Sequence, residues 1–181
     1  MKLKRKKPLV LVDRDGTLIE EKEYLSDPRQ VRLLPGAVQG LRRLKKGGFK
    51  VVVVSNQSGV GRGILTLAQA RRVNQRFLQL LKQKKATVNG LYWCPHAPAE
   101  RCPCRKPKLA LVKEAAQALG RSWRGSISVG DKASDVWLGQ RTGGLGILVR
   151  TGYGRRWEKS AGADHVAKDF KAAVEWILKK E

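Results

Sequence analysis

Apolar residues along this chain gather in short runs that stop abruptly on polar, mostly acidic positions. Leu9–Val12 stops on Asp13, Val51–Val54 on Ser55, and Ile127–Val129 on Gly130 and Asp131. Runs of this length, rich in β-branched residues, suit strands buried on both faces of a parallel sheet. Between them the apolar period changes. Ala37, Val38, Leu41 and Leu44 recur at helical spacing before Gly47 and Gly48. Thr66 is a candidate N-cap for a second helix, with Ala70, Val73, Phe77, Leu80 and Leu81 on one face and Arg71, Arg72, Arg76 and Lys82 on the other. Leu91–Trp93 fits a third strand. Leu109, Leu111, Val112, Ala115, Ala116 and Leu119 predict a helix stopped by Gly120, and Ser134–Arg141 a shorter one. Ile147–Val149 reads as the final strand, and Phe170, Val174, Ile177 and Leu178 as a closing helix. This alternation predicts an α/β fold, a Rossmann-like open parallel sheet with helices on both faces. A single domain over residues 1–181 is expected, with a basic tail at 1–7 and no space between motifs for a large cap.

In such a sheet, residues just past the C-terminal strand ends converge on one crevice. Asp13, Asp15, Ser55, Asn56, Asp131 and Asp135 are therefore expected as neighbours, although more than a hundred positions separate the first from the last. The chain has 15 acidic residues, and four fall at this edge. Asp13 would project from the strand tip, with Asp15 in a turn that Gly16 permits. Alone, such a pair is as readily a turn or a helix cap. Asp131 and Asp135 change the picture, because clustered carboxylates repel unless a cation or a proton neutralises them, and Mg²⁺ takes oxygen ligands. Ser55, backbone N–H groups from Asn56 through Gln57 to Gly59, and Arg105 with Lys106 are phosphate-handling groups. Arg62, within Gly59-Val60-Gly61-Arg62-Gly63, either grips a second anion or is solvated. No Gly-Lys-Ser or Gly-Lys-Thr ending makes that run a P-loop.

Charge and cysteine usage add two constraints. Lys and Arg total 38 against 15 Asp and Glu, a formal net charge of +23, and residues 28–99 contain no acidic side chain. Nucleic acid, an anionic membrane surface, a phosphorylated substrate or a merely solvated surface all accommodate this. Apolar runs fall far short of the roughly 18 residues that a membrane span needs. All three cysteines, Cys94, Cys102 and Cys104, sit within a loop they share with His96. An odd count argues against a disulfide framework, and three thiolates with one imidazole form a complete tetrahedral zinc set. Four protein ligands leave no open position, so the expected zinc, held over 94–104, is structural. Reduced thiols and the lack of a secretion signal point to the cytoplasm.

With these groups assembled, the chain resembles the haloacid dehalogenase-like phosphatases. The resemblance rests on Asp-Arg-Asp-Gly-Thr at 13–17, Ser-Asn-Gln-Ser-Gly at 55–59, Arg-Lys-Pro-Lys at 105–108 and Gly-Asp-Lys at 130–132 with Asp135. It implies that Asp13 attacks phosphorus to form an aspartyl-phosphate, while Asp15 protonates the leaving alcohol and then activates water. It further implies that Asp13, the backbone carbonyl of Asp15 and Asp131 hold Mg²⁺, and that Ser55 and Lys106 stabilise the transferring phosphoryl group. Asp135 would orient Lys132 or a metal-bound water. The zinc loop is similar to that of the branch containing D-glycero-heptose 1,7-bisphosphate 7-phosphatases and histidinol-phosphatases. Ser55–Gly63, Tyr24 and Val149-Arg150-Thr151-Gly152 are closer to the heptose enzymes; the short His96–Cys102 gap and Lys106–Val112 are closer to the histidinol enzymes. A bisphosphate needs a second anion site, for which Arg62, Arg105 and Lys132 offer charge. The expected partner is a sugar bisphosphate or other small phosphomonoester, bound by a monomer with no membrane association. Nucleic acid, as a 3′-phosphorylated substrate or a bound polyanion, ranks behind both.

Overall fold

The structure is a computed structural model that describes residues 6–180. Most of the basic opening segment, Met1–Arg5, lies outside the described residues. Six strands form one parallel sheet in the order β3-β2-β1-β4-β5-β6. They are β1 (Leu9–Val12), β2 (Lys50–Asn56), β3 (Gly90–Cys94), β4 (Ile127–Gly130), β5 (Leu145–Val149) and β6 (His165–Ala167). The helices are α1 (Ala37–Lys46), α2 (Leu67–Gln83), α3 (Ala110–Ala118), α4 (Ala133–Arg141), α5 (Gly154–Trp157) and α6 (Phe170–Lys180).

The uninterrupted apolar runs have the cause expected of them: both faces of the central strands are covered. Val10 and Val12 of β1 and Val51 and Val53 of β2 pack with Leu41 and Leu44 of α1, Val73 and Phe77 of α2, and Phe170, Val174 and Ile177 of α6. Leu9, Leu11, Val52 and Val54 point the other way, onto Leu111, Val112, Ala115 and Ala116 of α3 and Leu138 of α4. Strand order runs outward in both directions from β1 and β4, so the chain's topological switch lies between their C-terminal ends, where a crevice must open.

Two expectations change. Ile147–Val149 lies in β5, but His165–Ala167 follows as a sixth strand, too short and too mixed in polarity to register as an apolar run. The 17-residue α2 begins as expected, with Thr66 and Gln69 closing a reciprocal capping box, yet Asn74 is buried on its apolar side and Arg76 is half-buried rather than fully solvated. Phe77 is 0% exposed whereas its neighbour Leu78 is 40% exposed. Replacing Phe77 with Ala should cost about 3–5 kcal/mol in denaturant unfolding, while Leu78→Ala should stay within about 0.5 kcal/mol of the parent.

Candidate active site

β1 and β4 are hydrogen-bonded neighbours, and each delivers a carboxylate at its C-terminal end. Asp13 leaves β1 with its N–H bonded to Val129 O at 2.9 Å. Asp131 follows β4, and Asp135 rises from the first turn of α4. One carboxylate oxygen from each of Asp13, Asp131 and Asp135 lies within 4.8 Å of the others, and all three residues are buried. Burial and the neighbouring Asp13 charge push the Asp131 carboxyl up to about 8. The Asp131 side chain is clamped: Cβ atoms added at Gly16 and Gly152 would each stand 2.2 Å from its Oδ2, and that oxygen accepts from Tyr153 N at 2.8 Å. Its Oδ1 is buried without a hydrogen-bond partner. A buried carboxyl that is costly to ionise alone, with an idle oxygen beside a second carboxylate, suits a hard divalent cation such as Mg²⁺.

Lys106 supplies the positive counterpart from the other side. Its Nζ donates to Asp13 Oδ1 at 2.7 Å and to Val54 O at 2.6 Å, and sits 2.6 Å from Asp135 Oδ1 in an ionic contact outside hydrogen-bond alignment. Burial works to lower its proton affinity, but the Asp13 and Asp135 charges outweigh that and hold the ammonium above its ordinary range. Asp135 thus orients Lys106, and its Oδ2 accepts the Lys132 backbone N–H at 3.0 Å. The Lys132 ammonium instead reaches Glu21 Oε2 at 2.9 Å and lies 4.9 Å from the Tyr153 ring centre.

Asp15 is held by a residue to which sequence reasoning gave no role. Arg14, almost wholly buried, donates from Nε and Nη2 to the two Asp15 oxygens at 3.1 and 3.0 Å, and its Nη1 bonds Asn74 Oδ1 on α2. Gln57 Nε2 reaches Asp15 Oδ2 at 2.8 Å and Ser55 Oγ at 2.7 Å. Burial raises the Asp15 carboxyl, but Arg14 and Gln57 overcome it and the net shift is downward. The available signal was Asn74, a polar residue on the apolar side of α2 that required a buried partner.

Asp15, Gln57 and Lys132 open into a crevice of about 180 Å³ lined also by Tyr24, Asn56 and Tyr153, with Glu21 and Glu23 in its wall. Arg62 is exposed and is not among the residues lining this crevice. Its flanking glycine serves another purpose: Gly61 lies so close to the cysteine loop that an added Cβ would stand 2.3 Å from Ala97 N. Arg105 has a buried Nη1 with no hydrogen-bond partner.

The cysteine loop begins where β3 ends. Cys94 Sγ is 3.4 Å from Cys102 Sγ and 3.6 Å from His96 Nδ1; Cys104 Sγ is 3.4 Å from Cys102 Sγ and 3.2 Å from His96 Nδ1. Ligand atoms around a tetrahedral zinc with bonds of about 2.3 Å stand roughly 3.7 Å apart, so the four donors nearly describe that polyhedron. Beyond the loop, Asn56 accepts from Lys106 N at 2.9 Å and donates to Lys106 O at 3.3 Å, fastening the loop's exit to β2.

Known proteins are similar to this chain in sequence and in fold. The HAD-hydrolase-like family model matches residues 103–173. A D-glycero-D-manno-heptose-1,7-bisphosphate 7-phosphatase of Thermosynechococcus vestitus is 33% identical, over 94% of this chain and 95% of that protein. The D-glycero-beta-D-manno-heptose-1,7-bisphosphate 7-phosphatase of Escherichia coli K12 is 32% identical, over 96% and 95%. The crystal structure of D,D-heptose 1,7-bisphosphate phosphatase from Bordetella bronchiseptica, complexed with magnesium and phosphate, superposes with a TM-score of 0.86 at 29% identity, covering 97% of this chain and 100% of that one. The chain therefore belongs to the haloacid dehalogenase-like phosphatases, in the family of the D-glycero-D-manno-heptose 1,7-bisphosphate 7-phosphatases.

Proposed function

We propose that this chain is a Mg²⁺-dependent phosphatase that removes the 7-phosphate of D-glycero-D-manno-heptose 1,7-bisphosphate through an aspartyl-phosphate on Asp13. The observation that carries the chemistry is Asp13 itself, buried at the tip of a central strand, gripped by Lys106 and next to an Asp131 oxygen that has no partner. Asp13, the backbone carbonyl of Asp15 and Asp131 would hold Mg²⁺, which when bound supplies positive charge to the phosphoryl oxygens. Asp13 Oδ attacks phosphorus, the bond from phosphorus to the ester oxygen breaks, and Asp15 delivers a proton to that oxygen. Asp15 must carry this proton on entry, and an anionic phosphoryl group arriving beside it raises its proton affinity. In the second half Asp15, fixed and favoured as a carboxylate by Arg14 and Gln57, takes a proton from the water that opens the aspartyl-phosphate. Ser55 Oγ, accepting from Gln57, keeps its own proton free for a phosphoryl oxygen, and Lys106 stabilises developing charge.

Substrate choice rests on the relatives, whose names specify the heptose bisphosphate. Of the cations offered for a second phosphate, Lys132 is already neutralised by Glu21, and neither Arg62 nor Arg105 lines the crevice; the buried, unpartnered Nη1 of Arg105 is what favours it over the exposed Arg62. Histidinol phosphate remains the second reading because Glu23, in the crevice wall with Glu21 already paired to Lys132, suits its ammonium group. Zinc on Cys94, His96, Cys102 and Cys104 would fix the loop that carries Lys106.

With Mg²⁺ present, kcat/KM for the heptose bisphosphates should exceed that for histidinol phosphate and for a 3′-phosphorylated oligonucleotide by about tenfold or more. Dominant turnover of histidinol phosphate would replace the first reading with the second. Asp13→Asn should lower turnover at least about a thousandfold while ester still binds; turnover near that of the parent contradicts the covalent route. Metal analysis of the purified protein should find one zinc equivalent per chain. Cys104→Ser should lose the zinc and lower the thermal midpoint, and an unchanged midpoint with full zinc content would show that these donors do not hold it.

A further inference from the structure

A cleft of about 720 Å³, against about 180 Å³ for the catalytic crevice, opens at the opposite edge of the sheet. Lys6, Lys7 and Pro8 lead into β1 and residues 120–125 lead into β4, so this cleft lies beneath the N-terminal ends of the two strands whose C-terminal ends carry Asp13 and Asp131. The four residues of β1 alone set the two sites roughly 13 Å apart, at about 3.3 Å per residue.

Its lining has one sign of charge. Lys6, Lys7, Arg121 and Arg124 face it with the hydroxyl of Ser122, and none of the lining residues is acidic. Among the described residues none of these four cations is ion-paired with a carboxylate. Lys7 Nζ rests 4.5 Å from the Phe49 ring centre and the Arg124 guanidinium 4.7 Å from that of Trp123, so aromatic faces position them without neutralising them.

The wall that carries the arginines is built rigidly. Gly120 turns the chain out of α3 in the left-handed conformation (φ 57°), and Arg121 N bonds Ala116 O at 2.9 Å. Arg124 N bonds Ser122 Oγ at 3.1 Å, Ser126 Oγ bonds Trp123 O at 2.7 Å, and Gly125 N bonds Thr142 O at 2.8 Å. Four like charges held together on a concave, preorganised surface disfavour one another until an anion with several spaced charges enters. A lone phosphate would leave most of this opening unfilled. A membrane would call for exposed apolar side chains at the rim, but the large ones, Ile64, Leu67, Leu78, Trp137 and Trp157, are not among the lining residues.

We propose that this cleft binds the phosphodiester backbone of single-stranded nucleic acid, as an association site separate from the catalytic crevice. Binding of a short fluorescein-labelled oligodeoxythymidylate, followed by anisotropy across a salt series, tests this. Four phosphate contacts predict a slope of log affinity against log salt near about −3. Arg121→Gln/Arg124→Gln should halve that slope to about −1.4 and weaken binding about tenfold or more at low salt. Arg71→Gln/Arg72→Gln, which removes equal charge from the exposed face of α2, should leave both values unchanged. Phosphoester turnover by the Arg121/Arg124 variant should equal that of the parent, which also reports folding; should that variant fail to fold, Lys6→Gln/Lys7→Gln reads the same slope. Equal weakening by the α2 variant would overturn the site in favour of diffuse attraction. Undiminished binding by both cleft variants, no binding at low salt, binding that requires a 3′-phosphate, or capture of phosphatidylserine vesicles without the oligonucleotide would each overturn it too.

Discussion

Asp13 and Asp131, at two adjacent strand ends, and Asp135, on the first turn of α4, bring three carboxylates into a buried space where one oxygen of each lies within 4.8 Å of the others. Removing such charges from water is expensive, and packing them together adds mutual repulsion. Much of the surrounding architecture answers that cost. Lys106 contacts two of the three, and backbone N–H groups of Lys132 and Tyr153 serve Asp135 and Asp131. Glycines at 16 and 152 permit the close approach because any side chain there would strike the Asp131 carboxylate. Asp131 Oδ1 is nevertheless left buried without a hydrogen-bond partner, so the compensation there is incomplete.

Lys106 ties the cysteine loop to this balance. The segment from Cys94 to Lys106 contains Pro95, Pro98 and Pro103 and little regular structure, so the positions of its ends depend on local clamps. Three are visible: the near-tetrahedral Cys94, His96, Cys102 and Cys104 donors, the packing of Gly61 against Ala97, and the paired hydrogen bonds between Asn56 and the Lys106 backbone. A loop remote from the strand tips in sequence thereby controls an ammonium group buried among them. The glycine-rich run at 59–63 packs against this loop at Gly61, a structural duty that its composition shares with anion binding.

The two edges of the sheet differ in electrostatic character. Asp13, Asp131 and Asp135 gather where the strands end, while Lys6, Lys7, Arg121 and Arg124 crowd where β1 and β4 begin. The net charge of +23 is therefore not simply a property of the catalytic crevice, whose wall includes Glu21 and Glu23 and whose Lys132 is paired.

The apolar runs Leu9–Val12, Val51–Val54 and Ile127–Val129 were enough to predict buried parallel strands, and the polar residue after each was enough to predict which side chains would meet. Both follow from rules that act locally: a strand covered on two faces has no polar positions, and a parallel sheet sends every strand end to the same side. The donor set of the cysteine loop was legible for a similar reason, since ligand chemistry is written in residue type and spacing. The short strand His165–Ala167 was not legible, because three residues of mixed polarity carry no period and are strands only through pairing with β5. Nor were the Arg14 contacts to Asp15 and Asn74 or the pairing of Lys132 with Glu21. Each depends on where a long side chain finds a partner many residues away, and one sequence records the partners without recording their distance. What composition and periodicity determined here is the sheet, its crevice and the chemistry available at its edge. Tertiary structure alone decided which charges are spent on one another and which remain free, because electrostatic pairing is a matter of separation and burial in space.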